Sequence, residues 1–235
     1  IMKRLIILDL DNTFYKYELS HISGLKAVYA KQTIFNSYDD FILLYRDIKS
    51  SVHKEIPNSP SKHSKLIYFK KLFFDQLDSF EILNLEKTYW DSFIKNVDLQ
   101  KEGIKLLSTN KNKDNVYVLF TNQNLNTQLK KINTWKLNFF DHIITSEEAG
   151  YEKPSPKFFK FVSPVIEDIL KDKTKVYALG DSFENDVEYW INNFHANGYL
   201  VNNDLSEMKK NNDYIEASFN NSIEDIFNQN LNSSI

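Results

Sequence analysis

Three short apolar runs stand out along the chain, Leu5–Leu8, Val116–Phe120 and Val176–Leu179. They lack the polar alternation of a half-exposed sheet, which predicts strands buried on both faces, as in parallel sheets covered by helices. His142–Thr145 and Tyr199–Val201 are weaker candidates of the same kind. Helical stretches over Leu125–Trp135, Pro156–Leu170 and Asp186–Asn193 follow the second, third and fourth of these strands. This alternation of strand and helix predicts a parallel, doubly wound α/β sheet.

The interval from Tyr15 to about Asp98 breaks the rhythm. It holds no good strand but shows helical spacing in Phe41, Leu44, Tyr45 and Ile48, in Leu66, Phe69, Phe73 and Leu77, and in Leu85, Tyr89 and Phe93. Pro57–Ser61, with two prolines among small polar residues, predicts a loop inside this helical insert. The 235 residues thus divide into a core formed by 1–15 and 99–235 and a helical insert at 16–98. Thr109–Asn115, Asn202–Asn212 and the tail from Asn228 are rich in Asn and Lys and read as solvated segments.

Composition narrows the chemistry. A hydrophobic fraction of 42%, with 14% aromatic and 26% charged residues, is that of a folded globular chain. Twenty-nine basic against 32 acidic side chains give a net charge of −3, so no chain-wide field favours nucleic acid or anionic lipid. The lack of cysteine excludes thiolate metal sites and thiol nucleophiles, and the five glycines form no nucleotide-cradling loop. No apolar stretch reaches the roughly 18 residues of a membrane span, and Leu5–Leu8 is too short for a signal peptide, so a cytoplasmic protein is expected. Ile1 ahead of Met2 reads as an added residue and is set aside.

Four polar clusters follow four of the predicted strands. Asp9 and Asp11 are two apart at the end of the first, so they share a face at the carboxyl end of the sheet, where open α/β folds bind ligands. Two carboxylates that close require either a shared proton or a hard divalent cation, unless the pair is only a turn and a helix cap. Thr121 and Asn122 follow the second strand and suit an anion at a helix N-terminus, or simple capping. Lys153 precedes Pro154, whose ring biases the lysine backbone to extended geometry and aims its charge, although most such lysines lie on the surface. Gly180-Asp181-Ser182-Phe183-Glu184-Asn185-Asp186 supplies further acids, or a cap. Four capping coincidences in this order at successive strand ends would be improbable.

This order closely resembles the haloacid dehalogenase-like hydrolase superfamily, in its phosphatase branch (subfamily I) with a helical C1-type cap inserted after the first strand. The matching segments are Asp9–Thr13, Thr121–Asn122, Ser146–Phe159 with its Glu152-Lys153-Pro154 run, and Gly180–Val187. The resemblance implies a Rossmann-like core of about five parallel strands in the order 5-4-1-2-3. It further implies Asp9 as the nucleophile that becomes an aspartyl-phosphate, and Asp11 as the acid that protonates the leaving alkoxide and then activates water. Thr121, Asn122 and Lys153 would bind the phosphate. Mg²⁺ would be held by Asp9, the Asp11 backbone carbonyl, Asp181 and Asp186, with Ser182 and Asn185 behind them. Such neutralisation is what attack by a carboxylate on a phosphate dianion requires. The members that release halide lack the second acid, so Asp11 points to phosphoryl chemistry.

The sequence also departs from the family. Glu188–Asn193 is bulky where small residues usually pack the helix against the sheet, and the usual Pro-Gly pair at the insert's exit is replaced around Asp98–Lys101. Asn12-Thr13-Phe14-Tyr15 resembles members acting on nucleoside monophosphates and acyl-sugar phosphates. The expected activity is therefore a Mg²⁺-dependent phosphomonoesterase for a small phosphorylated metabolite, a nucleoside 5′-monophosphate being the favoured example, with no nucleic-acid or membrane partner. A sugar-phosphate mutase and a non-catalytic binding protein are the competing readings. Tyr17, Tyr29, Phe35, Tyr38 and Phe41 could stack a base or form the insert's core, and Lys62–Lys65 with Lys70 and Lys71 reads as a solvated helix face.

Overall fold

The computed structural model describes residues 3–170 and 174–229. The expectations for Ile1 and for the tail beyond Gln229 lie outside the described residues. The chain divides into two compact units, Tyr17–Val97 and the remainder up to Lys16 and from Asp98.

The Tyr17–Val97 unit is helical: α1 (Tyr17–Lys31), α2 (Tyr38–Glu55), α3 (Lys65–Leu72) and α4 (Ser79–Lys95). The Pro57–Ser61 segment runs into a single 3₁₀ turn at Pro60–His63. Its core is aromatic, with Phe41, Tyr45, Tyr68, Phe69, Phe73, Tyr89 and Phe93 all buried. Phe41 therefore belongs to the core, while Tyr29 and Tyr38 meet edge-on at 5.2 Å. Leu44 of the expected α2 stripe is exposed, and Val52 is buried instead. α1 and α4 come together at Gly24, where a methyl group would lie 2.7 Å from the Tyr89 ring. Lys65 departs from the expected solvated face. It is buried, with Nζ 5.1 Å from the centre of the Tyr68 ring and 5.6 Å from that of Tyr89, where ring quadrupoles replace part of its hydration.

The second unit is α/β. Its strands are β1 (Lys3–Leu8), β2 (Asn115–Thr121), β3 (His142–Thr145), β4 (Thr174–Gly180), β5 (Asn197–Val201), β6 (Lys209–Lys210) and β7 (Tyr214–Ala217). They form one sheet in the order β3-β2-β1-β4-β5-β7-β6. All neighbours are parallel except the β6–β7 pair. The class is the expected one, and β3 to β5 keep the expected order. The sheet differs in detail by two further strands beyond β5. β6 lies inside Asn202–Asn212, and nothing in its two lysines signals a strand, because an edge strand held by the Lys209–Glu216 and Lys210–Ile215 pairings needs no apolar face.

The helices are α5 (Lys101–Thr109), α6 (Leu125–Thr134), α7 (Ser146–Ala149), α8 (Pro156–Ile169), α9 (Glu188–Phe194) and α10 (Phe219–Asn228). Leu5, Ile7, Val118, Phe120, Val176 and Ala178 pack against Phe158, Phe159, Val162 and Ile166 of α8 and Trp190 of α9. Ile6, Tyr117 and Tyr177, which alternate with them, are equally buried, so the central strands are covered on both faces. The bulky α9 residues find a place by stacking. Tyr189 lies flat on Phe159, 3.6 Å between centroids at 3°, and Trp190 lies over Phe120 at 5.5 Å and 14°. Among the described residues no helix is long and apolar enough to cross a membrane.

Candidate active site

The carboxyl ends of β1, β2 and β4 converge on Lys153. β1 leads into Asp9, whose amide donates to the Leu179 carbonyl at 3.0 Å and extends the pairing with β4. The chain then turns, with the Thr13 and Phe14 amides donating to the Leu10 carbonyl. Asn12 takes a left-handed φ of 62°, which a short polar side chain tolerates. Asp9 is buried and receives the Lys153 ammonium at 2.9 Å and the Thr13 hydroxyl at 3.5 Å.

Lys153 also donates to Asp186 Oδ1 at 2.6 Å and to the Phe120 carbonyl at 2.6 Å, so all three of its protons have acceptors. Asn122 holds this lysine from behind. Its side-chain amide donates to the Lys153 carbonyl at 2.9 Å, and its side-chain oxygen accepts the Lys153 N–H at 2.8 Å. The side chain expected to face a phosphate is thus engaged with the backbone of the lysine. The Lys153–Pro154 peptide is cis.

Asp186 reaches the site from a wide π-helical turn, Phe183–Val187, that precedes α9. Its Oδ2 accepts the Ser182 N–H at 3.1 Å, and the Ser182 hydroxyl accepts the Asn185 N–H at 3.4 Å. Asp9, Asp181 and Asp186 each present one carboxylate oxygen within 4.8 Å of the others. Among the described residues Lys153 pairs with both Asp9 and Asp186, so one ammonium stands against three carboxyl groups. An all-carboxylate oxygen set of that charge suits a hard divalent cation such as Mg²⁺.

Burial, together with Asp186, Asp181 and Asp11, pushes Asp9 well above the usual carboxylate range despite Lys153. Asp181 is pushed up to about 6 by partial enclosure and by Asp186. Burial pulls Lys153 down, but Asp186 and Asp9 outweigh it, and the lysine lies above its ordinary value.

Asp11 faces different partners. Its Oδ1 accepts from Lys131 Nζ at 2.5 Å and from the Tyr15 hydroxyl, and its Oδ2 accepts from Gln128 Nε2 at 3.0 Å. Burial raises the carboxyl, yet Lys131 and these hydrogen bonds outweigh it and hold Asp11 below its ordinary value. Gln128 Nε2 also donates to the Thr121 hydroxyl oxygen at 2.7 Å. Sequence reasoning missed Tyr15, Gln128 and Lys131. The available signal was weak: Thr127, Gln128 and Lys131 line the buried face of α6 beside Ile132, and such polarity in a sequence reads as a solvated face.

No family model matches the chain. A ribulose-1,5-bisphosphate 5-phosphatase of Halopiger xanaduensis is 24% identical over 193 residues, covering 79% of this chain and 80% of that protein. A haloacid dehalogenase-like hydrolase of Bacillus subtilis, YfnB, solved with magnesium, superposes with a TM-score of 0.67 at 21% identity over 97% of this chain and 100% of that one. A haloacid dehalogenase-like phosphatase of Thermococcus onnurineus gives 0.62 at 21% over 98% of each chain. A 2-haloacid dehalogenase of Pseudomonas syringae gives 0.65 at 18% over 97% of this chain and 100% of that one. The chain therefore has the haloacid dehalogenase-like fold, with its helical unit inserted after the first strand.

Proposed function

We propose that the protein is a Mg²⁺-dependent phosphomonoesterase of the cytoplasm, acting on a small phosphorylated metabolite through an aspartyl-phosphate. The observation that carries this reading is the buried Asp9 carboxylate joined through Lys153 to Asp186, with Asp181 completing an oxygen cluster within 4.8 Å. Asp9, Asp181, Asp186 and the Asp11 carbonyl would hold the metal. When bound it supplies positive charge against the phosphate oxygens.

The chain's own residues carry the steps. An Asp9 oxygen attacks phosphorus, and the phosphorus–oxygen bond to the alcohol breaks as the Asp9–phosphorus bond forms. Asp11, held ionised at rest by Lys131, first takes up a proton, gives it to the departing alkoxide, then takes one from the water that attacks the aspartyl-phosphate, releasing phosphate and restoring Asp9. The Lys153 charge and the Thr121 hydroxyl would serve the equatorial oxygens, where charge spreads in the transition state, with Lys153 exchanging one of its present acceptors for a phosphate oxygen. Asp11 separates this chemistry from halide release, which requires no proton for the leaving group. The helical Tyr17–Val97 unit serves as the cap that selects substrate. The relative named for a sugar bisphosphate supports a phosphorylated sugar beside the nucleoside monophosphate as substrate class.

A phosphate-release screen over nucleotides, sugar phosphates and phosphoglycolate, with and without Mg²⁺, tests the reading alongside Asp9→Asn. Release that needs Mg²⁺ and disappears in Asp9→Asn is expected. Wild-type turnover in Asp9→Asn would overturn the mechanism, isomerisation of a sugar phosphate without release would select a mutase, and inactivity throughout would select a binding protein.

A further inference from the structure

Gln128 and Lys131 lie three residues apart on one face of α6, and neither exposes any surface. Both are costly choices for a buried helix face. A buried ammonium loses its hydration, and Gln128 Oε1 is buried with no hydrogen-bond partner among the described residues. Apolar side chains of similar volume would pack there at no such cost. What the two residues share is the Asp11 carboxylate, which takes Lys131 Nζ at 2.5 Å on one oxygen and Gln128 Nε2 at 3.0 Å on the other. The carboxylate also explains the stranded amide oxygen. Turning the Gln128 amide round would set Oε1 against Asp11 Oδ2, acceptor facing acceptor, and would make the Thr121 hydroxyl spend its O–H on the amide.

We propose that Gln128 and Lys131 are positioning residues that fix the Asp11 carboxylate for proton transfer and couple it to Thr121. This role rests on the phosphatase reading above. An acid that serves the leaving alkoxide and then water must present its oxygen in one place through both steps, and a carboxylate free to rotate about its two side-chain torsions does not. Donors to both oxygens remove that freedom. Gln128 acts at a second point, since its Nε2 donates to Thr121 Oγ at 2.7 Å. With that lone pair occupied, the Thr121 O–H is left to donate elsewhere, as a phosphate oxygen requires. One amide thus orients the proton donor of the leaving group and a hydroxyl of the phosphate cradle together.

The test compares two leaving groups on the full chain with Mg²⁺, reading kcat/KM for p-nitrophenyl phosphate, whose phenolate departs without a proton, and for glycerol phosphate, whose alkoxide needs one. Lys131→Met and Gln128→Leu are each expected to lower the glycerol phosphate value at least tenfold more than the nitrophenyl value, with Lys131→Arg recovering most of the difference. A merely structural role lowers both substrates by the same factor, and that result in folded Gln128→Leu, or in Lys131→Met with no recovery in Lys131→Arg, overturns the proposal. Should Lys131→Met not fold, Lys131→Arg and Gln128→Leu decide it by the same ratio. Wild-type protein that releases phosphate from no phosphoester overturns the phosphatase reading and this role with it, whereas active wild type with unchanged ratios overturns the positioning role alone.

Discussion

A methyl group on Gly180 would lie 2.3 Å from the Asp186 side chain, so the carboxylate occupies space that any other residue at position 180 would fill. Gly180→Ala therefore moves Asp186 or the strand end that carries it, and with them the contact to Lys153. The expected outcome is a destabilisation of about 1–3 kcal/mol from overpacking, together with at least a tenfold rise in the Mg²⁺ concentration for half-maximal activity. A magnesium titration of turnover, paired with urea denaturation, checks both. An unchanged titration would mean that Asp186 does not serve the metal.

Lys153 is the counter-charge for two buried acids, at 2.9 Å from Asp9 and 2.6 Å from Asp186. Removing one partner of a buried ion pair leaves an uncompensated charge, at a cost of about 3–5 kcal/mol. Lys153→Met is expected to lose stability on that scale in the absence of metal and to lose turnover by at least a hundredfold. Mg²⁺ should restore more stability to this variant than to wild type, because it replaces the missing charge, and should restore no comparable activity. Denaturation midpoints in EDTA and in excess Mg²⁺ measure the first effect, and phosphate release measures the second.

Much of this was legible in the sequence, for identifiable reasons. β1, β2 and β4 are buried on both faces, and that burial is written as unbroken apolar runs. β6 carries no such run, because an edge pairing is satisfied by backbone hydrogen bonds alone, and the short β7 between β5 and β6 is only partly buried along most of its length. Asp9, Lys153 and Asp186 were recognisable as strand-end clusters, and here they meet within hydrogen-bond reach. Gln128, Lys131 and Lys65 were not, since a polar side chain on a helix reads as facing water, and only three-dimensional neighbours show it buried against a carboxylate or over tyrosine rings. The bulky Tyr189 and Trp190 contradicted the usual small-residue packing until their stacking partners Phe159 and Phe120 were in place.

In the helical unit, burial and the nearby Lys65, Lys49 and Arg46 hold His21 down to about 3. The Tyr89 hydroxyl lies 2.6 Å from its Nδ1. Between about pH 3 and the ordinary histidine value near 6.5 the unfolded chain binds a proton at this residue that the folded one does not, so stability rises with pH across that window and is flat above it. His21→Gln is expected to flatten the acid limb by up to about 1.4 kcal/mol per pH unit. Urea denaturation of both proteins at pH 7, 6 and 5 decides it, and parallel slopes would remove His21 as the cause.

Asp181 distinguishes a metal site from an ordinary acidic cluster, because the two make opposite demands on it. Without a cation it adds a third carboxyl group within 4.8 Å of those of Asp9 and Asp186, which share the ammonium of Lys153. Asp181→Asn removes that repulsion while keeping the shape, so in EDTA the variant is expected to be as stable as wild type or more so. With metal the sign reverses. A ligand that binds only the folded state adds RT ln(1 + [L]/Kd), about 2.7 kcal/mol at a hundred times Kd, and the variant loses most of this gain through weaker binding. Thermal melts of both proteins across a Mg²⁺ series should therefore cross, wild type lying lower or level in EDTA and higher at saturating metal. Curves that stay parallel would show that Asp181 contributes charge to the site without holding the cation.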